Sequence, residues 1–212
     1  MKKHSRFNTL LLHFKEYSSL YLFIVVLFIM GVIFGAIVVN SMNFSQKHDL
    51  FIYVERFFGQ VANGELASSK DIFFQSFFQK LTFVMLMWVL GISIIGLPVI
   101  LILLFLKGVV VGFTVGFIVN QLSWKGFLLS FASIFPQNTI AIPVYIIVTA
   151  LAVAFSMKMI RQLFAKRITE PFFQSFLRYS ILMGILLVIL GVSSFVEAFL
   201  SPMMMKAVIN VL

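Results

Sequence analysis

The chain has 212 residues, of which 61% are hydrophobic and only 11% charged, and it contains no cysteine. At a mean hydropathy of +1.09, the apolar surface exceeds what a water-soluble core of this length can hide, so the bilayer is its solvent. The missing cysteines exclude disulfides, thiolate catalysis and cysteine metal sites. The formal charge of +9 lies beside apolar runs, where membrane topology and anionic lipid headgroups at the cytoplasmic face account for it without nucleic acid.

Residues 1–19 carry Lys2, Lys3, Arg6 and Lys15 against Glu16 and precede an apolar run over 20–39. A basic head of this kind stays cytoplasmic. The run is too long for a signal peptide and no small-residue cleavage site follows it, so it predicts an uncleaved first membrane helix. Within it, Gly31 and Gly35 lie four residues apart and predict close helix packing.

Residues 40–82 form an outer loop in which Lys47, Arg56, Lys70 and Lys80 balance Asp49, Glu55, Glu65 and Asp71. Phe51, Val54, Phe57, Phe58 and Val61 fall on one helical stripe, and Phe73, Phe74, Phe77, Phe78 and Leu81 on a second. Ser68 and Asp71 have the spacing of a capping box for the second helix. The pattern predicts two outer amphipathic helices that either rest on lipid headgroups or present Phe57, Phe58, Phe73, Phe74, Phe77 and Phe78 as a docking surface for an extracytoplasmic partner.

A second span is expected over 83–106, containing Gly91, Gly96 and Pro98, with a tight turn at Lys107–Gly108 and a short third span over 108–122. Gly108, Gly112 and Gly116 share one helix face, which predicts close packing inside the bundle or, alternatively, between copies in a homo-oligomer. Gly184 and Gly191 share a face in the fifth span. After Trp124, an apolar piece over 126–135 meets the polar residues Pro136, Gln137, Asn138 and Thr139 before apolar character resumes over 140–157. This is either one long helix with a broken start or a re-entrant hairpin ahead of the fourth span, and the polar break must face the bundle interior. A basic loop over 158–178, with Lys158, Arg161, Lys166, Arg167 and Arg178 against Glu170, leads to the fifth span at 179–200. The fold class is therefore an all-α, five-span membrane helix bundle with its amino terminus cytoplasmic and its carboxyl terminus extracytoplasmic.

Chemistry-bearing groups are sparse. His4, His13 and His48 fall on opposite sides of the membrane in this topology. Glu197 is the one acid inside an apolar run; close to Ser201 and Pro202, it reads as an interfacial structural group before a catalytic one. Asn120, Gln121, Gln137 and Asn138 bind and orient but do not transfer protons at neutral pH. The residues thus predict no catalytic, cofactor or metal site, and Gly108 to Gly116 is a packing face and not a phosphate cradle. A small transporter or lipid flippase-like module, with a midplane site at the polar break, is the alternative.

Taken together, the stretches from Leu90 to Pro98, from Leu106 to Phe117 and from Phe135 to Asn138, with those from Phe58 to Val61 and Ile160 to Phe164, resemble the stage II sporulation protein M family of endospore-forming bacilli over essentially the whole length. The resemblance implies a five-span membrane protein of engulfment that localises two exported peptidoglycan-degrading enzymes, stage II sporulation proteins D and P, at the division septum. It implies a scaffold, not a hydrolase. Wider relatives carry a Pro-His-Gly motif followed by Glu where this chain has Pro136, Gln137, Asn138 and then Ala141, so an ionic role for that His and Glu does not transfer.

Overall fold

The computed structural model describes residues 18–63, 68–93, 95–165 and 172–209. They form five helices: α1 (Ser18–Ser41), α2 (Phe44–Asn63), α3 (Ser69–Ile92), α4 (Gly96–Ala165) and α5 (Phe172–Ile209). Expectations that concern Lys2, Lys3, Arg6, Lys15, Glu16, His4, His13, Glu65, Lys166, Arg167 and Glu170 lie outside the described residues.

Among the described residues, five stretches are long and apolar enough to cross a membrane: Ser18–Ser41, Ser69–Ile92, Gly96–Leu122, Trp124–Gln162 and Phe172–Val208. α4 supplies two of them, because its 70 residues do not form a rod. Lys107 lies over the ring of Tyr145, Leu104 packs in one cluster with Ala150, and Ile100 packs with Val148 and Ala152. Those pairings are antiparallel. Helical turns continue through the reversal, where the bare face of Gly126 sits against the carbonyl of Ile118 and leaves no space for a side chain. Trp124 stands 72% exposed at the tip, a position that suits an interfacial aromatic anchor.

The bundle interior is a stripe from each helix. In α1 the buried residues are Ile24, Phe28, Gly31, Gly35 and Val39, while Leu22, Val26, Ile33 and Ile37 on the other faces remain exposed. An apolar exterior of this extent fits lipid and not water. The main core joins α3, both arms of α4 and α5 through Met87, Ile100, Tyr145, Val148 and Leu190, with Phe155 stacked on Tyr179 at 4.4 Å between centroids.

Three boundaries differ from the sequence reading. The expected turn at Lys107–Gly108 is absent, since residues 96–122 are continuous helix; the chain turns instead between Ser93 and Gly96. There, the Gly96 amide bonds the Ser93 carbonyl at 3.1 Å, and a Cβ on Gly96 would collide with the carbonyl of Leu90. The flanking residues Ile92 and Ile95 are apolar, so hydropathy runs straight through the turn and merges two spans into the expected 83–106. The second amphipathic helix is likewise not separate: Phe73, Phe74, Phe77, Phe78 and Leu81 open the span of α3. Finally, Pro136, Gln137 and Asn138 do not break the chain's helix, which runs on through Pro136 and Pro143. Proline removes one backbone donor, and in a packed membrane bundle its neighbours absorb that loss.

Loop charges still select the same orientation after these shifts. The end of α4 and start of α5 carry Lys158, Arg161 and Arg178, whereas the segment that holds α2 is balanced. The positive-inside rule puts the start of α1, the end of α4 and the start of α5 at the cytoplasmic side, with α2, the α4 tip and the end of α5 outside.

Candidate functional site

Close helix packing comes first, because it positions everything else. The glycines of α1 and of the first α4 arm meet each other. Gly31 faces Gly108, whose Cα would lie 3.3 Å from a Cβ on Gly31; a Cβ on Gly35 would fall on the Val109 carbonyl and one on Gly112 on the Val32 carbonyl; and Gly116 abuts Ala36. Small residues let the two backbones touch, and their faces are consumed within one chain. They therefore offer nothing to a homo-oligomer contact. In α5, a Cβ on Gly191 would meet the Phe77 ring at 3.6 Å, and one on Gly184 would meet nothing within 4 Å among the described residues.

Where α3, the second α4 arm and α5 converge, the structure gathers charged and hydroxyl groups that are far apart in sequence. Lys80 Nζ lies 2.9 Å from Glu197 Oε2 and 3.2 Å from both Ser193 Oγ and Ser194 Oγ. Ser76 donates to Glu197. A carboxylate only accepts, so the Gln137 amide is assigned with its nitrogen toward Glu197, 2.9 Å from Oε1 and also against Oε2. Ser193 donates to the Gln137 carbonyl at 2.9 Å. The result is a polar clamp across three helices, in which the ammonium's three donors and most of the carboxylate's acceptor sites are engaged.

This arrangement does not read as hydrolytic. Serine beside lysine is nucleophilic only when the amine takes the hydroxyl proton. Here the hydroxyls of Ser193 and Ser194 point their protons at the carbonyls of Gln137 and Leu190, and both serines are fully buried. The ammonium, for its part, is committed to Glu197.

Lys107, at mid-span in α4, faces the rings of Phe83 and Tyr145 at 5.7 and 5.1 Å from their centroids. A cation over aromatic faces is stabilised by the ring quadrupoles, so these two rings shelter a charge that an isolated helix would expose to lipid.

Beside the clamp lies a cavity of about 660 Å³, walled by Val54 and Phe58 of α2, Ile72 of α3, Ile118 and Ile134 of the two α4 arms and Met205 of α5, with Gln137, Glu197 and Ser201 on its floor. α2 is its lid. Asn43 starts that helix, and the Gln46 side chain reaches back to the Asn43 amide at 3.1 Å, one half of a capping box. Val61 anchors the other end against Ala132 and Met205. Along the lid Phe44 (86%), Tyr53 (68%) and Phe57 (44%) are exposed, the last two where the lid borders the cavity.

The sequence-predicted site residues separate accordingly. Phe57 and Phe58 line the cavity; Phe74 and Phe78 are exposed on α3; Phe73 stacks on Phe77 at 6.0 Å, which in turn covers Gly191. Gln137 faces the clamp and the larger cavity, whereas Asn138 lines a different cavity of about 220 Å³ between the α4 arms. Asn120 donates to Asn40 at 3.3 Å and ties the top of α4's first arm to α1. Lys80 was missed as the partner of Glu197 because it counts as a loop charge in the balance of residues 40–82. The signal available was helical: Ser76, Lys80, Val84, Met87 and Gly91 form one buried stripe.

The fold and clamp define a polytopic α-helical membrane protein with an intramembrane ion pair. The family model for stage II sporulation protein M matches residues 24–202, and the chain belongs to that family, a family of sporulation membrane proteins. No curated protein and no solved structure matches it.

Proposed function

We propose that the protein is a non-enzymatic membrane scaffold of engulfment, holding exported peptidoglycan-degrading enzymes, stage II sporulation proteins D and P, at the septal and engulfing mother-cell membrane. The observation that carries this reading is the outer lid helix, fixed to the bundle by Val61 yet exposing Phe44, Tyr53 and Phe57. Exposed aromatic residues on a rigid support are what an interface needs as anchors. The locked clamp supports the reading from the other side, since its serines, lysine and carboxylate bind one another. Phe74 and Phe78, exposed one helix further on, extend the same candidate surface.

The test is placement of the enzymes in sporulating cells. With Phe44, Tyr53 and Phe57 all changed to Ser, fluorescent fusions to the exported hydrolases are expected to spread around the membrane while the scaffold itself stays at the septum. Septal hydrolases in that variant would contradict the docking face.

The cavity favours a second reading, a transporter or lipid flippase-like module. Gln137→Leu with Asn138→Leu then abolishes lipid or solute movement in vesicles and leaves the hydrolases in place, whereas a scaffold shows no such movement even in the wild type.

A further inference from the structure

The cavity under α2 is lined mostly by apolar side chains, with Gln60, Gln75, Thr114 and Ser133 set among them and Gln137, Glu197 and Ser201 on its floor. Its volume of about 660 Å³ falls in the range of roughly 300–1,000 Å³ that buries a small ligand. Depth follows from the helices. Asn40 and Asn120 join at the outer end of α1, and Thr114, which lines the cavity, lies six residues lower, about 9 Å at the helical rise. The site is thus at outer-leaflet depth, where the surrounding solvent is acyl chain.

Two polar groups on the floor await a partner. Ser201 is 2% exposed, lines the cavity, and its hydroxyl has no hydrogen-bond partner; a buried unpaired hydroxyl is costly. One turn earlier, the Glu197 side chain is 27% exposed, and its Oε1 receives only the Gln137 amide, so it has acceptor capacity left. A ligand that fits must therefore accept a hydrogen bond from Ser201, donate one to Glu197 and cover apolar walls.

Charge narrows the head group. Lys80 is 8% exposed in its side chain, and its three donor positions point at Ser193, Ser194 and Glu197. A phosphate placed on this floor would meet the Glu197 carboxylate with no cation released to it. An uncharged head meets no such repulsion. We infer that the cavity is a binding site for a neutral, hydroxyl-headed acyl lipid of the diacylglycerol class, with its hydroxyl donating to Glu197, an ester carbonyl accepting from Ser201, and an acyl chain along Val54, Ile72, Ile134 and Met205. The inference rests on neither functional reading above, because a lipid held in place and a lipid in transit occupy such a site alike.

Native mass spectrometry of the full-length protein in detergent, offered dioleoylglycerol or dioleoylphosphatidylglycerol, tests it. The wild type is expected to retain one dioleoylglycerol per chain. Ser201→Ala removes one hydrogen bond without altering the fold and is expected to weaken retention about fivefold. Val54→Trp fills the cavity from the lid and is expected to abolish retention; Ser201→Ala decides the matter by itself if Val54→Trp fails to fold. The proposal is overturned if the wild type retains no dioleoylglycerol, if Ser201→Ala retains as much as the wild type, or if the lipid displaced by Val54→Trp is the phosphatidylglycerol. It is equally overturned if a photo-crosslinker at Ile134, inside the cavity, captures a polypeptide in cells and Val54→Trp prevents that capture.

Discussion

Replacing Lys80 with Leu is expected to destabilise the bundle by about 3–5 kcal/mol, the usual cost of removing one member of a buried ion pair. The loss comes from what remains. Glu197 keeps Ser76 and Gln137 as donors but loses its counter-charge, and a lone charge in a membrane helix costs about 2.5–3.5 kcal/mol even on insertion scales. Because Glu197 reaches the cavity, the lower end of the range is expected. The double variant Lys80→Leu with Glu197→Leu removes the uncompensated charge and is expected to recover most of the loss, since an apolar replacement of a buried pair is often near neutral. Unfolding in a detergent–denaturant series measures both. A Lys80→Leu protein as stable as the wild type would show that the clamp holds nothing together.

The second large effect lies at the contact of α1 with α4. Gly112→Leu puts a side chain where the Val32 backbone already is. Overpacking in a core costs about 1–3 kcal/mol when side chains can yield; here the obstacle is a carbonyl, so at least the upper value is expected, with α1 displaced from the bundle. Gly184→Leu is the control, because nothing lies within 4 Å of a Cβ there, and it is expected to be nearly neutral. Limited proteolysis and thermal unfolding in detergent check the pair. A crosslinked dimer lost in Gly112→Leu without loss of stability would instead assign this glycine face to contacts between copies.

Both effects bear on what the sequence could reveal. The five spans and the close approach of glycines were legible because each is a local pattern: length of an apolar run, or spacing of four along one helix. The boundaries of α3 were not. Its first half carries Gln75, Gln79 and Lys80, which lower hydropathy as a loop would, although Lys80 is buried on a partner 117 residues away. Lys107 misled for the same reason in reverse, marking a turn where Phe83 and Tyr145 instead sheltered its charge. Pairing between distant helices decides both cases, and no local window contains it. Gln137 was legible as an inward polar group because membrane-depth amides need cover. Its carboxylate partner depends on the α4 reversal near Gly126, which composition does not encode.

The scaffold account is tested most directly by purifying the carboxyl-terminally tagged protein from sporulating cells and identifying what accompanies it, in the wild type and in the variant with Phe44, Tyr53 and Phe57 changed to Ser. The account predicts exported cell-wall hydrolases with the wild type and their loss from a variant that still folds and reaches the membrane. Hydrolases missing from the wild-type sample, or undiminished in the variant, would contradict it.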